Sequence, residues 1–283
     1  MYLDHFGLRE LPFGITPDTS FAFAGEAHQE ALNTLMLALK SGEGFIKITG
    51  EVGTGKTLLC RRLLAGLGEG AVSAYLPNPT LEPRTLMLAL AEELGVTLDP
   101  AADQYHLLKN LNLALLEFAR TEKRVVVCLD EAQALSMDSL EALRLLSNLE
   151  TEKRKLLQLV LFGQPELDTR LADPAVRQLR QRISFHYRLA GLRPAETGLY
   201  LDHRLRVAGY RGHRLFRPST TRLIHRAARG TPRLINILSH KAMLAAYGEG
   251  RQEVLPRNVK AAVRDTEGTH WPFWSLWPHW QLW

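Results

Sequence analysis

Residues 45–65 read FIKITGEVGTGKTLLCRRLLA, and no other stretch restricts the possible folds as severely. An apolar run of strand length enters a turn containing Gly50, Gly53 and Gly55, and a helical run with Leu58, Leu59, Leu63 and Leu64 follows. Inside it, Gly50-Glu51-Val52-Gly53-Thr54-Gly55-Lys56-Thr57 matches G-x-x-x-x-G-K-[ST] in the strand-to-helix setting that gives the pattern its meaning. The glycines let the backbone curl so that successive N–H groups converge, and the helix that follows adds its positive end; both suit phosphate oxygens. Lys56 brings a point charge to β- and γ-phosphates, and the Thr57 hydroxyl is a ligand for Mg²⁺. With Leu58 counted in the binding segment, the chain is expected to hold ATP or ADP with Mg²⁺.

The remaining pattern builds a sheet around this loop. VSAYL (72–76), RVVVCLD (124–130) and LLQLVLFG (156–163) are further apolar strands, and SFHYRL is a last strand-like stretch. Helical periodicity separates them, over EAHQEALNTLMLALK, 103–121 and 137–150. Continuously apolar strands alternating with helices predict a parallel sheet covered on both faces, an α/β fold of three layers. Beyond about residue 190 the strands stop, and segments 194–208, 218–228, 231–247 and 256–265 read as an all-helical unit. The expected organisation is an aromatic, Gly- and Pro-rich irregular arm (1–25) laid on the next domain, a phosphate-loop domain (26–190), a helical lid (191–267) and a Trp-rich tail (268–283).

Two acids close the strand VVVCL. Asp130 stands where a carboxylate reaches Mg²⁺ beside a phosphate loop, and Glu131, one residue on, is placed to polarise an attacking water. Hydrolysis is what the second acid argues for. At the end of the next strand Gln164 is the polar candidate for the γ-phosphate or the water; the competing reading is a turn residue before Pro165.

Charge is distributed unevenly. Of a net +5, the segment from Arg177 to Arg233 holds fourteen arginines, no lysine and two acids, Glu196 and Asp202, so it carries +12 and the remainder −7. Such a segment suits phosphates at a subunit boundary, nucleic acid or an anionic surface, or is a solvated helical face. Cys60 and Cys128 fall in a helix and a buried strand, which predicts buried thiols in a reducing compartment. MYLDHFGLRE lacks a basic region followed by an apolar stretch, and no run reaches the roughly 20 apolar residues of a membrane-spanning helix, so a cytoplasmic location is expected.

With phosphate loop, Asp-Glu strand end, a polar residue on the next strand and a helical lid, the chain resembles AAA+ ATPases. FGLRELPFGITPD, FIKITGEVGTGKT, VVVCLDEAQ, LFGQPEL and GTPRLINIL carry, over about residues 2–265, a resemblance to the general secretion pathway protein A (ExeA) family, and within it to the MSHA pilus biogenesis ATPases; GEVGTGKT and DEAQ place the superfamily only, and FGLRELPFGITPD with GQPEL narrows it. The resemblance implies a Mg²⁺-dependent ATPase that powers or regulates assembly of a type IV (MSHA-like) pilus or a type II secretion-like machine, with inner-membrane assembly proteins as partners. It implies that Arg233, in Gly230-Thr231-Pro232-Arg233, reaches back over the nucleotide from the lid. It also implies an arginine offered to a neighbouring subunit of a homo-oligomeric ring, Arg182 first and Arg180 second. Phe6, Phe13 or Ile15 of the arm are candidates for the adenine pocket, with hydrophobic anchoring of the arm the stronger reading. DNA-loading and transposition-regulator ATPases share these core motifs, so a nucleotide-switched DNA-binding regulator is the alternative; no helix-turn-helix, zinc module or RNA-recognition signature accompanies it.

The tail, WPFWSLWPHWQLW, places tryptophans at 271, 274, 277, 280 and 283. A three-residue period is that of polyproline II, which would set five indoles on one side. The ribbon suits shallow docking at the inner face of the cytoplasmic membrane or a groove on a partner or neighbouring subunit; the plainer reading is a strap on its own domain or a disordered end. Members of the family continue into a membrane segment and a periplasmic part, and the end at Trp283 argues against cell-wall binding.

Overall fold

The computed structural model describes residues 2–148, 150 and 155–270, so the tryptophan tail and every expectation placed on it lie outside the described residues. Two compact units result, one of residues 28–51 and 56–189, the other of 1–27, 52–55 and 190 onward. In chain order the helices are α1 (Tyr2–Phe6), α2 (Glu26–Lys40), α3 (Lys56–Ala65), α4 (Pro83–Glu93), α5 (Gln104–Arg120), α6 (Met137–Leu146), α7 (Glu166–Leu171), α8 (Arg177–Arg182), α9 (Pro194–Val207), α10 (Pro218–Ala228), α11 (Pro232–Gly248) and α12 (Pro256–Arg264). The strands are β1 (Phe45–Thr49), β2 (Ala71–Leu76), β3 (Arg124–Leu129), β4 (Leu157–Gly163) and β5 (Ile183–Arg188).

The first unit is built on a five-stranded, wholly parallel sheet in the order β2-β3-β4-β1-β5. Its central strands are buried on both faces, and the two-residue period of a strand sorts their side chains into two cores. Val125, Val127 and Leu129 of β3 join Leu159 and Leu161 of β4 and the helices α4–α6 on one face. Val126, Cys128, Val160 and Phe162 join Ile46, Ile48 and the helices α2 and α3 on the other. These are the three layers of a phosphate-loop α/β fold, a parallel sheet covered by helices on both faces. Cys60 and Cys128 are free and fully buried in the second of these cores, and the Cys60 thiol is pushed far up by its hydrogen bond with Cys128 and by burial.

The helices α4 and α7 of this unit were not legible in the sequence. In PRTLMLALAEE, Pro83 stands at the first position of α4, where its fixed φ suits a helix, and Leu86, Met87, Leu90 and Ala91 are buried against the sheet core.

The second unit gathers α9–α12 around Leu201, Ile224, Ile235, Leu238 and Val259, and the amino-terminal arm is part of the same core. The expectation of an irregular arm laid on the next domain is corrected in part: Tyr2 and Phe6, four residues apart and both buried, make the short helix α1, and the arm's aromatics pack with α9–α12 because their apolar partners lie there. Arg204 on α9 then pins the arm. It is buried, donates to the Pro12 and Gly14 carbonyls at 2.5 and 3.3 Å, and lies 4.7 Å over the Phe21 ring. Asn236 on α11 adds a second bond to the Gly14 carbonyl, at 3.0 Å.

Candidate functional site

Parallel pairing explains why distant segments arrive at one edge. Thr49 lies beside Gly163, and Leu129 is in register with Leu161, so β1, β3 and β4 all end on the same side of the sheet. Ligands of such sheets bind outside these carboxyl ends. Gly50, Asp130 and Gln164 are the first residues beyond the three strands.

The loop is shaped by its glycines. Gly53 and Gly55 have φ of 80° and 99°, a region costly for other residues. Lys56 opens α3 and is buried, its Nζ donating to its own loop's Gly50 and Glu51 carbonyls at 2.9 and 3.1 Å. Burial holds its ammonium below the usual lysine range against the opposing pull of Glu131, Asp130 and Glu51. Thr54 is buried, whereas Glu51 and Val52 are exposed and Leu58 is half-buried.

Thr57 Oγ1 donates to Asp130 Oδ2 at 2.6 Å, and Tyr75 at the end of β2 approaches the same oxygen at 3.4 Å. Asp130 Oδ1 accepts the Glu131 main-chain N–H at 3.0 Å. Burial pushes the Asp130 carboxyl above its ordinary range despite these donors. The Tyr75 hydroxyl is pushed up to about 12 by burial and the neighbouring Asp130 charge. Two hard oxygens at hydrogen-bond distance fit a Mg²⁺ ion, which takes few protein ligands and completes its shell with water and phosphate oxygens. Among the described residues, no group of three or more His, Cys, Asp and Glu side chains is arranged to hold a metal.

Glu131 has φ 50° and ψ 38°, a left-handed conformation that costs a non-glycine residue about 1 kcal/mol. Its Oε2 accepts from Gln164 Nε2 at 3.0 Å and from Gln133 Nε2 at 2.5 Å. Burial by itself would raise this carboxyl; the two amides and the Lys56 charge outweigh it and leave it below the ordinary glutamate range. Gln164 thus meets Glu131 directly, beyond any role as a turn residue before Pro165. Gln133 and Tyr75 were missed as site residues, although Gln133 stood inside the quoted Asp-Glu-Ala-Gln run.

In the helical unit, Arg229 and Gly230 both adopt positive φ, and a Cβ on Gly230 would come within 2.2 Å of the Leu192 carbonyl oxygen. This tight turn starts α11 at Pro232. The Arg233 N–H, one of the helix-start donors without an intrahelical partner, donates to Gly53 O at 3.2 Å. The Arg233 side chain is exposed. Phe6 and Phe13 are buried in the core of this unit, as anchoring of the arm requires, and Ile15 is 59% exposed.

Of the two arginines on α8, Arg182 is half-buried and donates to Ser147 Oγ at 3.0 Å, while Arg180 is exposed and makes no hydrogen bond or ion pair with the described residues. No helix of the described residues is long and apolar enough to cross a membrane.

Residues 39–171 match the family model of an AAA domain. Over 268 residues the chain is 41% identical to general secretion pathway protein A of Aeromonas hydrophila, an alignment covering 95% of this chain and 49% of that protein, so the chain spans about half the length of this relative. Among solved structures, Cdc6p of Pyrobaculum aerophilum is similar with a TM-score of 0.66 at 19% identity, covering 88% of this chain and 70% of that one. The ORC2 protein of Aeropyrum pernix, solved as ADPNP-ADP complexes, is similar with a TM-score of 0.64 at 18% identity, covering 92% and 74%. At such identity the structural likenesses concern the fold alone. The chain is therefore a protein of P-loop AAA+ fold that is similar, over nearly all of its length, to general secretion pathway protein A.

Proposed function

We propose that this chain binds ATP with Mg²⁺ on the Gly50–Thr57 loop, hydrolyses it, and uses the cycle to power or regulate assembly of a type II secretion-like machine or a type IV, MSHA-like pilus at the cytoplasmic membrane. The observation that carries the reading is the 2.6 Å pair of Thr57 Oγ1 and Asp130 Oδ2, with Glu131 next in the chain. Thr57 and Asp130 would hold Mg²⁺, which when bound offsets charge on the phosphate oxygens. Lys56 leaves the Gly50 and Glu51 carbonyls for the β- and γ-phosphates, Gly53 to Gly55 offer main-chain N–H groups, and Glu131 takes a proton from the attacking water while Gln164 helps orient it. Arg233 follows the lid toward the nucleotide. In a homo-oligomeric ring, the exposed guanidinium of Arg180, which has no partner among the described residues, fits the arginine offered to a neighbour better than Arg182, which Ser147 already holds.

The secretion and pilus assignment is supported by the identity to general secretion pathway protein A, together with the arm and GQPEL segments. Isothermal calorimetry decides the nucleotide step: titrating ATP with Mg²⁺ into the full chain is expected to give saturable heat, followed by phosphate release. Absence of heat overturns the reading. The +12 segment favours a second reading, a nucleotide-switched DNA-binding regulator. DNA binding that weakens steeply with salt would support that alternative, and binding with no salt response would remove it.

A further inference from the structure

The Gln133 carboxamide sits in a closed set of three hydrogen bonds. Its Nε2 donates to Glu131 Oε2 at 2.5 Å, its Oε1 accepts the Gln164 main-chain N–H at 2.9 Å, and Gln164 Nε2 donates to the same Glu131 Oε2 at 3.0 Å. Chemistry settles which end of the amide is which. A main-chain N–H can only donate and an ionised carboxylate can only accept, so a flipped carboxamide would oppose like to like at both ends. One side chain thereby ties the end of β3 to the main chain at the end of β4.

The bonds are also unevenly shared between the two carboxylate oxygens. Both amides converge on Oε2, and Oε1 accepts no hydrogen bond from the described residues. A carboxylate that serves as a base needs one oxygen fixed for aim and the other open to the proton. We propose that Gln133 is the positioning residue of the hydrolytic site, anchored on the Gln164 main chain and holding Glu131 by Oε2 so that Oε1 is the oxygen that takes the proton of water. This inference rests on the hydrolytic reading of the site. Glu131 remains the catalytic residue; Gln133 acts through it.

Two substitutions separate anchoring from aiming. Gln133→Met keeps the length of the side chain and removes both bonds. Gln133→Glu keeps an acceptor for the Gln164 N–H and replaces the donor with a second carboxylate. Each full-length variant is measured by amide hydrogen exchange at Gln164, by titration with fluorescent ADP, and by steady-state ATP hydrolysis with Mg²⁺. In Gln133→Met, exchange at Gln164 is expected to rise on the order of 10-fold and kcat to fall about 10-fold. In Gln133→Glu, Gln164 is expected to stay protected while kcat falls at least as far, with KM and ADP affinity within about 2-fold of the parent in both variants. The proposal is overturned if Gln133→Glu keeps kcat within about 2-fold, if Gln164 exchange is unchanged in Gln133→Met, or if nucleotide affinity falls in step with kcat, the mark of a structural role. A parent chain that binds ATP without turning it over would instead sink the hydrolytic reading, and the exchange measurement would still report on the anchor.

Discussion

Thr57, on the first turn of α3, donates its hydroxyl to Asp130 at the end of β3 across 2.6 Å, joining residues 73 positions apart in the sequence. The acceptor is a carboxylate that burial disfavours in its charged form. Asp130→Asn removes that charge with little change of shape, so the melting temperature is expected to hold or rise. Phosphate release is expected to fall on the order of 100-fold, because the residue proposed for Mg²⁺ loses its charge. A variant that melts lower yet turns over normally would contradict both halves.

Lys56 and Glu131 should fail in different ways. Lys56→Ala leaves the triphosphate without its buried cation, and calorimetry is expected to show no ATP binding. Glu131→Gln keeps the shape of the side chain and loses the base, so ATP should still bind while turnover drops on the order of 100-fold or more. Retained turnover in either variant would remove the assigned role.

Gly53 answers two demands at once. Its φ of 80° strains any side chain, and a Cβ there would lie 2.4 Å from the Arg233 Cβ, a contact no flexible chain end can relieve. Gly53→Ala should lose about 1–2 kcal/mol from the backbone alone and weaken nucleotide affinity. Gly70→Ala, where an added Cβ meets nothing, is the control. Equal behaviour of the two in thermal melts would refute this account.

Arg204 secures the arm through the carbonyl oxygens of Pro12 and Gly14, its guanidinium steadied by the Tyr200 hydroxyl one turn away on α9. Arg204→Met fills similar volume and leaves the buried Pro12 carbonyl without this donor, while Gly14 keeps that of Asn236, so denaturant titration should show a loss of about 2 kcal/mol. Limited proteolysis within residues 1–25 should quicken as well.

Acid should loosen the helical unit. Burial holds His240 below the ordinary 6.5, and burial with the nearby Arg226 does the same for His225. Each ring nitrogen bonds a hydroxyl, Tyr2 Oη at 2.9 Å and Thr197 Oγ1 at 2.8 Å. Because the folded values lie below the unfolded one, this stability is complete above pH 6.5 and is lost as pH falls from there toward the folded values. Melting temperatures measured downward from neutral pH should drop, and His240→Gln should flatten the drop. An unchanged slope would show that His240 does not contribute.

What local sequence could settle was everything with local causes. Apolar runs of strand length made β1 to β4, an alternating stretch made β5, a glycine spacing made the phosphate loop, and Asp130 with Glu131 followed from their place after VVVCL. Each depends on neighbours within a few residues, so periodicity and turn chemistry suffice. The helix α4 escaped because its four buried positions acquire meaning only against the sheet that covers them. The ring of Glu131, Gln133 and Gln164 needed more: β3 had to lie beside β4 in one particular register, and strand order is a property of the folded chain. The same holds for Arg182 on Ser147 while Arg180 stays exposed, and for an arm fastened by an arginine 192 residues away. Sequence named the chemical groups; long-range packing, whose partners no local pattern encodes, decided which of them meet.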